Sequence, residues 1–232
     1  QDSLVTNTTG HSNSAYGLQS LYSNTTGEFN SGLGRNALYN NTTASNNTAA
    51  GYNSLLSNTT GHTNVALGAY ALDANTTASY NTAVGNHALG ANTTGANNTA
   101  VGQASLFYQT TGSDNVAIGR DALHWNSTAN YNIAIGRSAL LSNTTGANNV
   151  ALGTHALYSS TTSSHNIGIG KNTLYSNTTG TSNTAVGSLA LDASTTASNN
   201  TAIGYDALGA NTTGAQNTAV GRVALDANTT GD

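Results

Sequence analysis

Cysteine, proline and methionine are all absent from this chain of 232 residues, and charged side chains make up only 6% of it. Without cysteine there can be neither a disulfide framework nor a thiolate metal site. The missing methionine and the glutamine at position 1 predict a processed chain or a segment of a longer one. The few charges sum to −4 and look scattered, with no basic stripe, so we expect no nucleic-acid partner.

Long hydrophobic runs are missing as well. No apolar stretch approaches the roughly 20 residues of a membrane helix, and no signal peptide is visible, so we expect no membrane insertion. Hydrophobic residues still make up 37% of the chain. They recur in strict register, which favours an ordered protein over a disordered low-complexity segment.

A repeat of 17 residues organises the whole chain. Its consensus is N-T-A-V-G-x-x-A-L-x-x-N-T-T-G-x-x, and residues 1–12 form a partial coil before it. The thirteen full coils follow without insertion or deletion and begin at Asn13, Asn30, Asn47, Asn64, Asn81, Asn98, Asn115, Asn132, Asn149, Asn166, Asn183, Asn200 and Asn217. We therefore interpret residues 1–232 as a single repeat array. A longer period of seven coils, or 119 residues, repeats "ALGANTTGA" from Ala88 at Ala207 and indicates a duplicated block.

Some repeat positions never change, whereas others change freely. Position 5 is always Gly, position 9 always Leu and position 14 always Thr, while position 3 is only Ala or Gly. Positions 6, 7, 10, 11, 16 and 17 vary in size and polarity. Such a division is typical of a solenoid, because inward positions meet the same neighbours in every coil and outward positions meet water.

The composition of the repeat favours strands over helices. Asn, Thr, Ser and a Gly in every coil are poor helix formers, and apolar residues at positions 4 and 9 make no helical stripe. "NTAVG" alternates as a short strand, Gly at position 5 suits a bend with positive φ, "xALxx" suggests a second short strand, and "NTTG" suggests a turn. The sequence therefore predicts an all-β fold, a parallel β-solenoid (β-roll or β-helix) of about 14 coils.

Stacking of identical coils predicts which residues lie inside. We expect Leu at position 9 and Val or Ile at position 4 in a thin core, and a ladder of position-1 amides that bond one another. Ala at position 3, on the opposite face from position 4, predicts a second packed surface that three copies of the chain would bury. The predicted structural ladder comprises Asn115, Asn132 and Asn149, with Gly119, Gly136 and Gly153, and Leu123, Leu140 and Leu157.

The repeat resembles two groups of fibrous proteins. "NTAVG" and the related "NVAIG" are similar to strands of trimeric autotransporter adhesin heads, and the whole 17-residue unit resembles repeat regions of phage tail-fibre proteins and related bacterial surface proteins. The resemblance spans essentially the whole chain. It implies a homotrimeric fibre located outside the cell, on a cell surface or on a virion.

Catalytic and metal-binding patterns are missing. No His pair has metal-ligand spacing, no phosphate-binding loop is present, and the acids do not stack as pairs. Asp121 and Asp206 share position 7 but lie five coils apart. We therefore expect no enzyme, cofactor or metal.

Two features suggest surface chemistry. The first is an aromatic patch at positions 10 and 11, a candidate surface for sugar stacking or contact with another fibre, formed by Phe107, Tyr108, His124 and Trp125. The second is a set of Asn-x-Thr/Ser sequons at position 12, which predict either turns or glycosylation. These sequons begin at Asn7, Asn24, Asn41, Asn58, Asn75, Asn92, Asn126, Asn143, Asn177, Asn211 and Asn228.

The function that these patterns favour is a structural fibre segment, a rigid spacer and attachment surface outside a cell or on a virion. Its expected partners are copies of itself, in a trimer or stacked end to end, and a cell-surface glycan. Two alternatives stay open: a glycosylated extracellular filament subunit and an ice-binding β-solenoid. Threonines at positions 13 and 14 point to opposite faces of an extended chain, so only one of the two could line a flat ice-binding surface.

Overall fold

The computed structural model describes residues 2–231 as a parallel β-solenoid with one three-residue strand in each coil and no helix in that range. Two compact units divide the chain, Gln1–Asp114 and Asn115–Asp232. In the first unit each strand pairs in parallel with the next one along the chain. Paired residues lie one repeat apart in the sequence, so that Ala83 faces Ala100. Its strands are β1 (Ser14–Tyr16), β2 (Ser31–Leu33), β3 (Thr48–Ala50), β4 (Val65–Leu67), β5 (Thr82–Val84) and β6 (Thr99–Val101).

The second unit follows the same plan. Its strands also pair in chain order and in register, so that Ala117 faces Ala134. They are β7 (Val116–Ile118), β8 (Ile133–Ile135), β9 (Val150–Leu152), β10 (Ile167–Ile169), β11 (Thr184–Val186), β12 (Thr201–Ile203) and β13 (Thr218–Val220). The predicted parallel β-solenoid with 17 residues per coil is confirmed.

The core of each coil is narrower than the sequence suggested. The leucines at position 9 are fully buried from Leu21 to Leu208, and Ala117 at position 3 is fully buried with them. Position 4, expected in the core, points outward instead, and Ile118 is exposed. The expected second packed surface at position 3 is therefore wrong, because that side chain belongs to the core.

Lack of space explains the exchange of positions 3 and 4. A Cβ atom built on Gly168, at position 3, would lie 3.4 Å from Cδ1 of Leu157 and 3.8 Å from Cδ1 of Leu174. The leucines already fill the interior opposite the strand, so only a methyl group or a hydrogen fits there. Larger strand residues must then occupy the alternating outward positions 2 and 4.

The segment around Leu at position 9 is a turn rather than the expected second strand. Leu123 has φ of 51°, and positions 7 and 17 are also left-handed, as in Asp121 (57°) and Tyr131 (59°). A left-handed leucine costs about 1–2 kcal/mol, which burial of its side chain offsets by about 1.5–3 kcal/mol. Gly119 at position 5 has φ of 128°, which agrees with the bend predicted there.

Two asparagine ladders run through the interior. At position 1, Oδ1 of Asn115 accepts the backbone N–H of Asn132 at 3.0 Å, and the amide of Asn132 donates to the carbonyl oxygen of Gly146 at 2.8 Å. The same arrangement continues to Asn149. The expected direct bonding between amides is therefore secondary at this position, because each amide is used mainly to tie the backbone of one coil to the next.

Direct bonding between amides dominates at position 12, where the sequence suggested only turns or glycosylation. The amide of Asn41 donates to Oδ1 of Asn24 at 2.9 Å, and the amide of Asn58 donates to Oδ1 of Asn41 at 3.0 Å. Each of these amides also donates to the carbonyl oxygen three residues later, within its own coil. One side chain thus closes its own turn and links two coils.

Candidate interaction surfaces

The outward residues of the strands form an uncharged surface in each unit, in which position 4 is mainly aliphatic and position 2 is Ser, Thr, Val or Ile. We call the positions 2 and 4 of all coils the sheet face. In the second unit it presents Ile135, 39% exposed, and Val220, 68% exposed, together with Ile118, Ile133, Ile167, Ile169 and Ile203. No charged residue occupies positions 2 to 4 in any coil. This surface is a candidate interaction site, because exposed apolar residues are usually scattered.

The sequence suggested that the charges are scattered. The cations instead share one repeat position. All five lysine and arginine residues lie at position 6, directly after the glycine bend: Arg35, Arg120, Arg137, Lys171 and Arg222. Two of these lie over aromatic rings: the guanidinium carbon of Arg35 is 5.9 Å from the ring centroid of Tyr52, and that of Arg222 is 5.6 Å from the ring centroid of Tyr205. Assigning each charged residue to its repeat position would have revealed from the sequence that the cations share position 6.

A third surface carries threonines. At position 13 the hydroxyl donates to the backbone of the next coil, as Thr144 Oγ1 does to the carbonyl oxygen of Thr161 at 3.1 Å. At position 14 the side chain is exposed in every coil, and Thr145 and Thr162 are examples. Among the described residues no position-14 hydroxyl bonds to the protein. The opposite orientation of the two neighbouring threonines agrees with the sequence expectation.

The predicted aromatic patch is divided between the two units. In the first unit the rings of Phe107 and Tyr108 meet edge to face with centroids 4.6 Å apart. In the second unit His124 and Trp125 meet edge to face at 5.1 Å, and Asp121 Oδ1 lies 3.7 Å from His124 Nδ1. Tyr108 and Trp125 are 41% and 47% exposed.

Further ring contacts join aromatic residues of successive coils that the sequence analysis did not single out. In the first unit Tyr70 stacks on His87 at 4.8 Å, and Tyr52 meets Tyr70 edge to face at 5.2 Å. In the second unit Tyr158 stacks on Tyr175 at 5.0 Å. Positions 7 and 10 of successive coils therefore carry aromatic clusters, whereas the sheet face is mainly aliphatic.

Most of the sequon asparagines are inaccessible. The side chains of Asn24, Asn41, Asn58, Asn75, Asn92, Asn126, Asn143, Asn177 and Asn211 are fully buried, and those of Asn7 and Asn228 are partly exposed. A sugar on a buried amide nitrogen would have no room and would remove a ladder hydrogen bond. The role of these residues in the folded chain is the internal ladder.

Residues 2–231 hold neither a metal-binding cluster nor a pocket. No group of three or more His, Asp or Glu side chains there could hold a metal ion, no pocket is present, and no helix in this part of the chain could cross a membrane. Burial raises the pKa of the Asp73 carboxyl, and burial together with the neighbouring Asp206 raises that of Asp192.

The chain matches no protein-family model, no curated protein and no solved structure. A functional argument therefore starts from its surfaces: the apolar sheet face, the position-6 cations, the aromatic clusters and the exposed threonines.

Proposed function

We propose that the chain is a structural segment of an extracellular or virion fibre, where it acts as a rigid spacer and an attachment surface. The observation that carries this proposal is the sheet face, which is uncharged in both units and carries an aliphatic residue at position 4 of every coil from Leu33 to Val220. Such a surface exposed to water favours association, because burial stabilises by about 25 cal/mol per Å² of apolar area.

A second copy of the same chain is the partner that fits this face. Its side chains repeat at the strand spacing of about 4.8 Å. A partner that covers them over several coils needs apolar groups with the same spacing, and another copy has these by construction. The lack of charge at positions 2 to 4 argues against a partner recognised by electrostatic attraction.

Rigidity within each unit supports the role of spacer. Neighbouring coils are joined by the strand ladder, by both asparagine ladders and by the position-13 hydroxyls, for example between Thr178 Oγ1 and the carbonyl oxygen of Thr195 at 3.1 Å. Bending would break several of these bonds at once. The repeat therefore suits a role in which distance has to be maintained.

The attachment role is supported by the variable positions 10 and 11. Exposed rings such as Tyr108, Trp125 and Tyr175 interrupt otherwise small residues there. Tyr and Trp combine an apolar ring with a hydrogen-bonding group, a combination that suits a cell-surface glycan or another protein. The sheet face would then serve self-association, while the variable positions select what the fibre touches.

Substitution of two outward isoleucines tests the proposal. We expect the 232-residue chain to form oligomers whose mass in sedimentation velocity rises with concentration. The double variant Ile135→Lys/Ile169→Lys places two charges on the sheet face and should sediment as a monomer. Thr154→Lys is the matched control, because position 6 already carries Arg137 and Lys171 in neighbouring coils.

Two results would contradict self-association through the sheet face. One is a wild-type chain that stays monomeric at the highest soluble concentration. The other is a double variant that keeps its fold by circular dichroism and still forms the wild-type oligomers.

A further inference from the structure

The exposed threonines at position 14 have a property that the fold does not explain. All fourteen occurrences of this position carry Thr, from Thr9 to Thr230. Every one of these side chains is exposed, and no hydroxyl among them bonds to the protein within residues 2–231. Other exposed positions vary freely. A structural requirement for a β-branched residue would also admit Val or Ile, yet neither occurs here.

From this pattern we infer that the threonine face of the second unit, formed by positions 14 and 16, binds an ordered water lattice and thus the surface of ice. Positions 14 and 16 lie on either side of the buried position 15; position 14 is exposed, and position 16 is half-buried beside it. In the second unit position 14 supplies the threonines Thr128, Thr145, Thr162, Thr179, Thr196 and Thr213. Position 16 supplies Asn130, Ala147, Ser164, Thr181, Ser198 and Ala215.

The chemistry of this face suits ordered water better than a charged or bulky ligand. No residue at either position is charged in the six complete coils of the second unit, and Asn130 has the largest side chain. In the first unit position 16 carries His11, Glu28 and His62 instead. Charges hold disordered hydration shells, so the uncharged unit is the better candidate for a regular layer of water.

Threonine provides both interactions that such a layer needs. Its hydroxyl can donate one hydrogen bond to water and accept two, and its methyl group restricts the orientation of the water beside it. Successive coils place these groups about 4.8 Å apart. Serine would lack the methyl group and valine would lack the hydroxyl, which explains why neither replaces threonine in fourteen coils.

This inference is independent of the fibre proposal, because it uses a different face of the coil. It is also more specific than the sequence expectation, which counted only the neighbouring positions 13 and 14. The structure shows that Thr178 at position 13 donates to the backbone of the next coil, whereas Thr179 is exposed. Thr181 is half-buried beside it, and its Oγ1 lies 3.5 Å from Oγ of Ser198 in the next coil.

Thermal hysteresis of the 232-residue chain tests the inference. We expect the wild-type protein to hold seed crystals unchanged below their melting point and to shape them, which an equal concentration of serum albumin does not do. Thr179→Tyr places a ring in the middle of the threonine face and should abolish most of this activity.

Two matched variants place a tyrosine ring on faces of the coil other than the threonine face. Ser176→Tyr changes position 11, where Tyr108 occurs naturally, and Val186→Tyr changes position 4, where Tyr16 occurs naturally. Both should keep the wild-type thermal hysteresis, that is, the gap between the melting and freezing temperatures. Melting curves followed by circular dichroism establish that all three variants fold.

A second set of substitutions tests the inference even if Thr179→Tyr misfolds. The triple variant Thr145→Val/Thr162→Val/Thr179→Val removes three hydroxyls without changing the shape of the side chains. It should reduce the thermal hysteresis. A wild-type chain without a gap above that of albumin overturns the inference. So does a gap that Val186→Tyr abolishes and Thr179→Tyr does not, since that result assigns ice to the sheet face.

Discussion

Ser194 occupies the ladder position from which an asparagine would donate to Asn177, and the buried Oδ1 of Asn177 accepts no hydrogen bond as a result. The hydroxyl of Ser194 is itself buried without a partner. In a regular part of the ladder, by contrast, the amide of Asn75 donates to Oδ1 of Asn58 at 2.9 Å and to the carbonyl oxygen of Ala78 at 3.1 Å. The duplicated repeat thus contains defects that can be repaired.

We expect Ser194→Asn to stabilise the protein by about 1–2 kcal/mol, because it satisfies one buried oxygen and adds a ladder bond. Urea unfolding measures the change. Asn58→Ser is the reverse control and should cost a similar amount, since it removes the donor to Asn41 Oδ1 at 3.0 Å. A Ser194→Asn variant less stable than wild type would contradict the ladder argument.

Gly168→Ala should raise stability by about 0.5–1 kcal/mol. The new methyl group would meet Leu157 at 3.4 Å, an ordinary contact, and alanine restricts the unfolded chain. Gly32→Ala, at the same repeat position, is the control: its methyl group would collide with Oγ of Ser20. Differential scanning calorimetry should show opposite shifts in Tm, and equal shifts would contradict the assignment of position 3 to the core.

Gly119→Ala should destabilise more than Gly146→Ala. A Cβ on Gly119 would lie 2.7 Å from the backbone of Gly136, and the φ of 128° is strained for any residue with a side chain. A Cβ on Gly146 would approach the carbonyl oxygen of Ser163 even more closely, so the distinction rests on its φ, which is not positive, and on the alanines that occupy its repeat position at Ala129 and Ala197. Thermal melts compare the two variants, and equal losses would refute the distinction.

Leu123→Asn should cost about 2–3 kcal/mol of burial, even though asparagine accepts the left-handed conformation more readily than leucine does. Leu225→Asn is the matched control. It shares the position and a φ of 53°, but its side chain is 50% exposed. Urea unfolding should therefore show a much smaller loss for Leu225→Asn than for Leu123→Asn.

Stability should depend on pH through Asp192. Because burial and Asp206 raise its pKa, the folded state binds the proton more tightly than the unfolded state. That contribution is fully present below the ordinary pKa of 3.8 and is lost as the pH rises through the folded value. Asp192→Asn should therefore melt higher than wild type at pH 7, and the difference should vanish near pH 3. A constant difference across this range would disagree with the raised pKa.

Periodicity in the sequence determined the coil length, the parallel stacking, the burial of Leu123 and its equivalents, and the glycine bend at Gly119. Each follows from identical coils, in which a residue that meets its own copy above and below has to keep its size and conformation. The same reasoning revealed the constant threonine at position 14, because the repeats of a single chain can be compared with one another.

Only the tertiary structure decided which face of the strand is inside. Alternation predicts that Ala117 and Ile118 point to opposite sides but not which side is the core, and the larger residue was wrongly placed there. The deciding quantity is the space left by the left-handed leucines, a property of the folded turn that no local pattern specifies. For the same reason the direct amide ladder was found at position 12, where the closed turn brings Asn24 and Asn41 within 2.9 Å.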